Sequence, residues 1–204
     1  MTDFTIPCET FVRLASILTD FHEDANEWFH SVRIDNGQAV ASNRHIMAIE
    51  NIFGNPGIVH IKADPALIAQ CKTEAAFGGT LTVTVNEMLK HGAAQTTLGY
   101  VHPENAVIFS DEPNDLDKWR GITLKASEPL KASKGGMFWD IDEMIRLTGA
   151  SPSGKVVFEE FIDAYHRPTL MRDIHSMDWL GVFNPYTLKE TYSSATMPTW
   201  MVDQ

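Results

Sequence analysis

The dipeptide Asn36-Gly37 lies between two runs rich in apolar and β-branched residues, and no other feature restricts the fold of this chain as strongly. Asn-Gly favours the positive φ angles that a two-residue hairpin turn requires. The flanking runs, residues 28–34 and 39–49, are therefore predicted to be extended and to pair with each other. An antiparallel sheet is the expected core of the fold.

Three short amphipathic helices are predicted beside the strands, from apolar residues at helical spacing. Asp64-Pro65 is typical of a helix start, because Asp accepts hydrogen bonds from free backbone N–H groups and Pro is tolerated at the first helical position. Asp140 is expected to cap a helix in the same way. The predicted helices cover residues 8–21, 65–76 and 141–149.

Further strands are predicted where apolar and polar residues alternate between turn-forming residues. The order of helix, turn and strands occurs in both halves of the chain, although no short-period repeat is visible. The additional predicted strands are residues 58–61, 81–85, 96–101, 106–110, 156–165, 169–172 and 179–183.

Charge and apolar content exclude several classes of protein. The 204 residues carry a formal net charge of −11, which argues against a surface that attracts nucleic acid everywhere but leaves room for a local basic track. No apolar run is long enough to span a bilayer, so a cytoplasmic protein without a membrane partner is expected. Cys8 and Cys71 are the only cysteines, and both are predicted to be buried thiols.

Motifs for catalysis are missing from the sequence. It has no GxxxxGK[ST] or GxGxxG phosphate loop, no HExxH and no GxSxG. The eight histidines are mostly isolated, and pairs such as Asp140/Asp142 are expected to be solvated or to cap helices. The chain is therefore predicted to be non-catalytic, with no metal and no cofactor. A small enzyme with a site built from scattered His and carboxylate residues remains as a third hypothesis.

One segment resembles a known family. Residues 41–48, Ala-Ser-Asn-Arg-His-Ile-Met-Ala, are similar to the A-T-D-G-H-R-L-A signature of bacterial DNA sliding clamps. Asn43, Arg44 and Ile46 replace the Asp, Gly and Arg of that signature. Residues 114–123 resemble the F-P-D-Y-R-x-V-x-P connector that ends a clamp domain, and residues 183–186 occupy the place of the Met-Pro-Met-Arg-like tail.

This resemblance implies an α+β, DNA-clamp-like fold, in which antiparallel curved sheets carry a few short amphipathic helices on one face. Residues 1–123 would form one clamp-like domain. Residues 124–204 would form a shortened second domain with an irregular C-terminal tail, and the role of residues 187–204 in that tail is open.

The resemblance also implies two sets of binding residues. Clamps are basic along their inner helices, so Arg13, Lys72 and Arg146 are the candidates for weak, non-specific contacts with double-stranded DNA; the alternative is a plain solvated role. The pocket that takes a peptide of the polymerase or clamp loader would include Arg44, where a cation replaces glycine. The alternative is that these are ordinary strand and core positions. The candidate partner-binding residues are Ser42, Arg44, His45 and Met47, with Pro185 and Tyr186 opposite.

The function implied is that of a sliding-clamp-like replication accessory protein, which tethers or recruits a DNA polymerase on DNA. The expected partners are DNA, a polymerase or clamp loader, and further copies of the chain in a dimer or trimer. A phage origin is expected from the divergence, which would place the protein in the host cytoplasm. The alternative is an interaction protein that binds or mimics a host replication component without encircling DNA.

Overall fold

The computed structural model describes residues 2–18, 30–35, 37–43, 45–52, 58–86, 91–109, 140–159 and 169–183. Within these ranges the chain forms one antiparallel sheet of eleven strands and three short helices. The predicted α+β class is confirmed. The strand order across the sheet is β1-β6-β7-β8-β5-β2-β3-β4-β11-β10-β9.

The strands and helices have the following bounds, numbered in chain order. The strands are β1 Thr2–Pro7, β2 Ser31–Asp35, β3 Gln38–Ser42, β4 Ile46–Asn51, β5 Val59–Lys62, β6 Thr80–Asn86, β7 His91–Thr96, β8 Val101–Phe109, β9 Val156–Glu159, β10 Thr169–Asp173 and β11 Trp179–Phe183. The helices are α1 Cys8–Ala15, α2 Pro65–Ala75 and α3 Ile141–Gly149.

A helix followed by three successive strands occurs three times along the described chain. We call β1-α1-β2-β3-β4 the first unit, β5-α2-β6-β7-β8 the second unit and α3-β9-β10-β11 the third unit. The first two units exchange strands, since β1 pairs with β6 and β5 pairs with β2. The third unit joins the sheet where β11 pairs with β4.

The helices pack on one face of this sheet, which we call the helix face. Successive side chains of a strand point to opposite faces, so Val32 and Ile34 of β2 lie in the main core with Phe11 of α1 and Leu67 of α2. The opposite face, which we call the outer face, carries Arg33 and a second apolar cluster. The outer face carries the candidate partner-binding residues Ser42 and Met47, whereas Arg13, Lys72 and Arg146 belong to the helices.

The helix starts agree with the predicted caps. The Asp64 carboxylate accepts hydrogen bonds from the backbone N–H groups of Ala66 at 2.8 Å and Leu67 at 3.3 Å. Asp140 caps α3 in the same way. The first helix begins at the predicted residue but ends at Ala15; residues 19–21 of the predicted helix lie outside the described part of the chain.

Two strand predictions were wrong. The run 39–49 is not one strand but the pair β3 and β4, because the Asn43 side chain accepts hydrogen bonds from two backbone N–H groups and forms a turn. Residues 96–101 are mostly the turn between β7 and β8, in which Gly99 adopts φ 91°. The predicted hairpin at Gly37, with φ 79°, is confirmed.

Several predictions fall outside the described residues. The proposed domain boundary at residue 123, the connector 114–123 and the tail 187–204 are among them, so the division into two domains stays a prediction. No helix in the described ranges is long and apolar enough to cross a membrane.

Candidate partner-binding site on the outer face of the sheet

Strand register gathers five apolar side chains on the outer face, where the first and third units meet. Met47 lies opposite Val182 in the β4–β11 pair, and Val182 lies opposite Leu170 in the β10–β11 pair. Cross-strand neighbours of this kind contact one another directly. We call the group the outer cluster, and it consists of Val40, Met47, Ile49, Leu170 and Val182.

The outer cluster is buried. Met47 is 7% exposed and Ser42, beside it on β3, is 5% exposed. A binding partner would therefore reach Met47 only by displacing the atoms that cover it. The predicted partner-binding residues Ser42 and Met47 lie side by side, and a role for them in partner binding stays a prediction.

The turn between β3 and β4 is built by two polar side chains. The Asn43 Oδ1 atom accepts hydrogen bonds from the backbone N–H groups of His45 and Ile46, both at 3.0 Å. The Ser42 hydroxyl donates to the Ile46 carbonyl oxygen at 3.0 Å. His45 is half-buried at this turn, so Ser42, His45 and Met47 are brought together at one end of the outer cluster.

Asn43 also ties this turn to the third unit. Its Nδ2 atom donates to both Glu143 oxygens on α3, at 3.0 and 2.8 Å. Sequence reasoning noted Asn43 only as a substitution for the Asp of the clamp signature. An Asn at a break between two apolar runs was the available signal for the turn, but nothing local indicated the contact with Glu143.

Three predicted partner-binding residues, Arg44, Pro185 and Tyr186, lie outside the described residues. The last described residue of β11, Phe183, lies opposite Ile46. The described part of β11 therefore ends next to the β3–β4 turn. The expected position of Pro185 and Tyr186 stays a prediction.

A polar group is buried beside the outer cluster. Arg33 of β2 is fully buried, forms an ion pair with Asp35 at 3.3 Å, and lies opposite His60 of β5. Burial and, to a smaller extent, the nearby Arg33 cation lower the pKa of His60 to about 3. His60 is therefore a neutral component of this face at physiological pH.

The candidate DNA-binding residues have different surroundings. The Arg13 side chain is only 13% exposed and forms ion pairs with Glu50 at 2.7 Å and Glu9 at 2.9 Å. Lys72 on α2 and Arg146 on α3 are exposed to solvent. Arg13 thus forms ion pairs within the chain, whereas the cationic side chains of Lys72 and Arg146 are exposed to solvent. A phosphate contact by any of the three stays a prediction.

A buried carboxylate that sequence reasoning missed holds the turns of the third unit together. Asp173 accepts hydrogen bonds from the Ser151 hydroxyl and from the backbone N–H groups of Ser153 and His175, the last two at 2.7 Å. Burial alone would raise the pKa of Asp173, but these hydrogen bonds outweigh it and hold the pKa well below its usual range. Its role is to join the α3–β9 and β10–β11 turns.

The described residues contain no group of three or more His, Cys, Asp or Glu side chains arranged to hold a metal ion. Cys8 and Cys71 are both buried and unbridged, as predicted. Burial raises the pKa of both thiols, since it disfavours the thiolate.

Solved structures of bacterial sliding clamps have a similar fold. The DNA polymerase III subunit beta of Pseudomonas aeruginosa matches with a TM-score of 0.59 and 14% identity, over 92% of this chain and 66% of that protein. The β sliding clamp of C. crescentus matches with a TM-score of 0.54 and 13% identity, over 92% and 66%. The Borrelia burgdorferi subunit beta matches with a TM-score of 0.52 and 11% identity, over 92% and 65%.

This chain therefore spans just under two thirds of the length of these clamps. Neither a protein-family model nor a curated protein sequence matches it. At this level of identity the likeness concerns the path of the chain rather than individual binding residues. The resemblance predicted from residues 41–48 is confirmed for the fold, and this chain has the fold of the bacterial DNA polymerase III β-subunit sliding clamps.

Proposed function

We propose that this chain is a non-catalytic, sliding-clamp-like replication accessory protein that tethers or recruits a DNA polymerase through the outer cluster. The observation that carries the proposal is the position of Ser42 and Met47. They lie at the strand-paired junction of the first and third units, beside Val182. The signature at residues 41–48 leads to the same position, so fold and local sequence agree.

The chemistry of the outer cluster suits a short apolar peptide. Met47 is flexible and polarizable, so it can adapt to a partner side chain. The half-buried His45 and the β3–β4 turn supply polar groups at the edge of the apolar surface. Recognition would then combine a few buried apolar anchors with polar contacts around them.

The proposal is tested with truncations at the outer cluster. Met47→Ala and Val182→Ala are expected to weaken binding to a purified bacterial replicative polymerase by roughly tenfold, measured by surface plasmon resonance. Val157→Ala is the matched control, because Val157 is half exposed on β9 and lies outside the cluster. Equal affinity for wild type and both cluster variants, with folding intact by circular dichroism, would contradict a partner site here.

A second function, an interaction protein that does not encircle DNA, is favoured by the ion pairs of Arg13. These ion pairs engage one of the three candidate DNA-binding cations with carboxylates of the chain itself. The formal net charge of the chain is −11, so few cations remain for phosphate contacts. Retention on closed circular DNA, lost when the DNA is cut, would support the clamp. Polymerase binding that is unaffected by nuclease treatment, together with no topological retention, would support the alternative.

A further inference from the structure

The turn between β10 and β11 repeats the turn between β3 and β4. In the first unit the Asn43 side chain accepts hydrogen bonds from the backbone N–H groups two and three residues later. In the third unit the Asp173 side chain does the same, with the N–H groups of His175 at 2.7 Å and Ser176 at 2.9 Å. Each turn joins the last two strands of its unit. The two turns therefore occupy equivalent places.

A methionine follows at the same spacing in both turns, but its surroundings differ. Met47 and Met177 each lie four residues after the turn-forming side chain. Met47 belongs to β4, packs in the outer cluster and is 7% exposed. Strand β11 begins only at Trp179, so Met177 lies in the turn and is 92% exposed. A position that is buried in the first unit is thus open to solvent in the third unit.

The exposed Met177 has an apolar neighbour in the same turn, because Ile174 is 49% exposed. A single exposed apolar side chain is common on protein surfaces, whereas several close together are typical of an interaction site. Methionine is among the residues enriched at protein interfaces, and its flexible thioether adapts to different partner side chains. The turn therefore offers a small apolar surface to a partner.

Asp173 also fixes the turn to its surroundings. Besides the two N–H groups of its own turn, it accepts hydrogen bonds from the Ser151 hydroxyl and from the Ser153 N–H, the latter at 2.7 Å. Its charge is therefore satisfied inside the protein, and the exposed charges determine what the surface attracts. A turn that is ordered before binding loses little conformational entropy on binding, which favours affinity.

The exposed charges beside this turn are mainly positive. The Ile174 N–H donates to the Lys155 carbonyl oxygen at 3.1 Å, so Lys155 lies beside Ile174. Lys155 and Arg172 are both exposed, and Asp178 is the one exposed carboxylate in residues 151–157 and 172–178. The chain as a whole carries a formal net charge of −11. A local excess of exposed positive charge therefore contrasts with the rest of the molecule.

We propose that Lys155, Arg172, Ile174 and Met177 form a second partner surface, the third-unit turn surface, which binds an acidic peptide segment of another protein. Aliphatic side chains of that segment would cover the two apolar residues. Its carboxylates would lie beside the two cations, with which they can form charge-assisted hydrogen bonds.

The first unit shows which side chains complement a methionine after such a turn. Val182 of β11 lies opposite Met47, and Leu170 belongs to the same cluster. Both are branched aliphatic side chains. The segment that covers Met177 is therefore expected to carry Val, Leu or Ile between its acidic residues.

The third-unit turn surface and the β3–β4 turn lie at opposite ends of β4. Ile46 begins β4 next to the β3–β4 turn, and Asn51 ends it, where the Asn51 N–H donates to the Asp178 carbonyl oxygen at 2.8 Å. A six-residue strand separates its two ends by roughly 17 Å. The third-unit turn surface is therefore independent of polymerase recruitment through the outer cluster.

Selection from a library of displayed random peptides tests the proposal. Wild type is the bait, and Ile174→Asp with Met177→Asp is the counter-selected variant; both substitutions are at exposed positions. The peptides that bind only wild type are expected to carry aliphatic residues flanked by Asp and Glu. Circular dichroism confirms that both baits are folded.

Single variants then locate the binding of a selected peptide, measured by fluorescence anisotropy. Met177→Asp and Lys155→Glu are each expected to weaken binding by about tenfold or more. The matched controls are Leu98→Asp, at a residue that is 70% exposed in the β7–β8 turn, and Lys72→Glu on α2. Both controls are expected to bind the peptide like wild type.

Three outcomes would overturn the proposal. The first is that no selected peptide distinguishes wild type from the counter-selected variant, or that the selected peptides are basic. The second is that Lys155→Glu weakens binding to duplex DNA and leaves peptide affinity unchanged, which would assign the cation to phosphate. The third is a wild-type dimer in sedimentation equilibrium that Met177→Asp dissociates, which would mean that a second copy of this chain covers the turn.

Discussion

Buried polar side chains occupy positions on the outer face that a simple two-layer fold would leave to solvent. Arg33 and Asp35 are 0% and 2% exposed, and His60 is 2% exposed. A buried charge is tolerated only when it is paired or neutralised. Arg33 is paired with Asp35, and His60 loses its proton. The sequence predicted the strands that carry these residues, but not that both of their faces are buried.

The neutral His60 makes stability depend on pH. Its pKa falls from 6.5 to about 3 on folding, so the unfolded chain binds more protons between these values. The contribution of the neutral His60 to the free energy of unfolding is therefore complete above pH 6.5. It is lost as the pH falls below this value, by up to about 1.4 kcal/mol per pH unit. We expect the urea-derived free energy of unfolding to decline from about pH 7 to about pH 5 and His60→Gln to flatten the decline. An equal slope in wild type and His60→Gln would contradict the assignment.

The ion pair of Arg13 leads to a second prediction at the residue scale. Arg13→Gln leaves the Glu50 carboxylate, which is 12% exposed, without its cation. We expect a loss of about 2 kcal/mol in the free energy of unfolding, most of it recovered in Arg13→Gln with Glu50→Gln. Affinity for DNA is expected to be unchanged. Weaker DNA binding in the double variant would instead assign Arg13 to phosphate contact.

At the scale of elements, the sequence predicted the helices and turns that depend on interactions between residues close together in the chain. Asp64 and Asp140 cap helices through hydrogen bonds two and three residues away, so sequence spacing was sufficient. Strand β1 was missed, because its pairing partner β6 lies far along the chain. The partner of Asn43, Glu143, is separated from it by 100 residues, so no window of sequence could reveal it.

The contact between α3 and β11 requires glycine at position 181. A Cβ atom there would lie 2.6 Å from the Trp179 Cη2 atom and 3.2 Å from the Leu147 Cγ atom. We expect Gly181→Ala to destabilise the fold by about 1–3 kcal/mol through overpacking. Trp179→Phe removes the clashing ring atoms, so the double variant should lose less than the sum of the single losses. Thermal denaturation of the four proteins in this cycle measures the coupling, and simple additivity would show that the clash is relieved elsewhere.

At the scale of the whole molecule, the chain combines a clamp fold with three units in its described residues. The resemblance in residues 41–48 was sufficient to predict the fold, and this segment forms the end of β3, the β3–β4 turn and the start of β4. The same resemblance could not predict the open face of α3. Exposure of Ile141 and Ile145 depends on which elements pack against α3, and that is a property of the folded structure.

Net charge restricts how such a molecule can bind DNA. With a formal charge of −11, attraction to phosphate must come from a few exposed cations on the helix face, and Lys72 on α2 is exposed there. Each phosphate contact contributes about 0.9 to the slope of log affinity against log salt concentration. We expect Lys72→Gln to weaken binding to double-stranded DNA at low salt and to reduce that slope by about 0.9, as measured by fluorescence anisotropy at several salt concentrations. Because this contact is independent of base sequence, the loss should be equal for unrelated duplexes.

Lys155→Gln, on the α3–β9 turn, is the matched control with the same change of charge. An identical fall for both variants would mean that only net charge matters and that no track of cations exists on the helices.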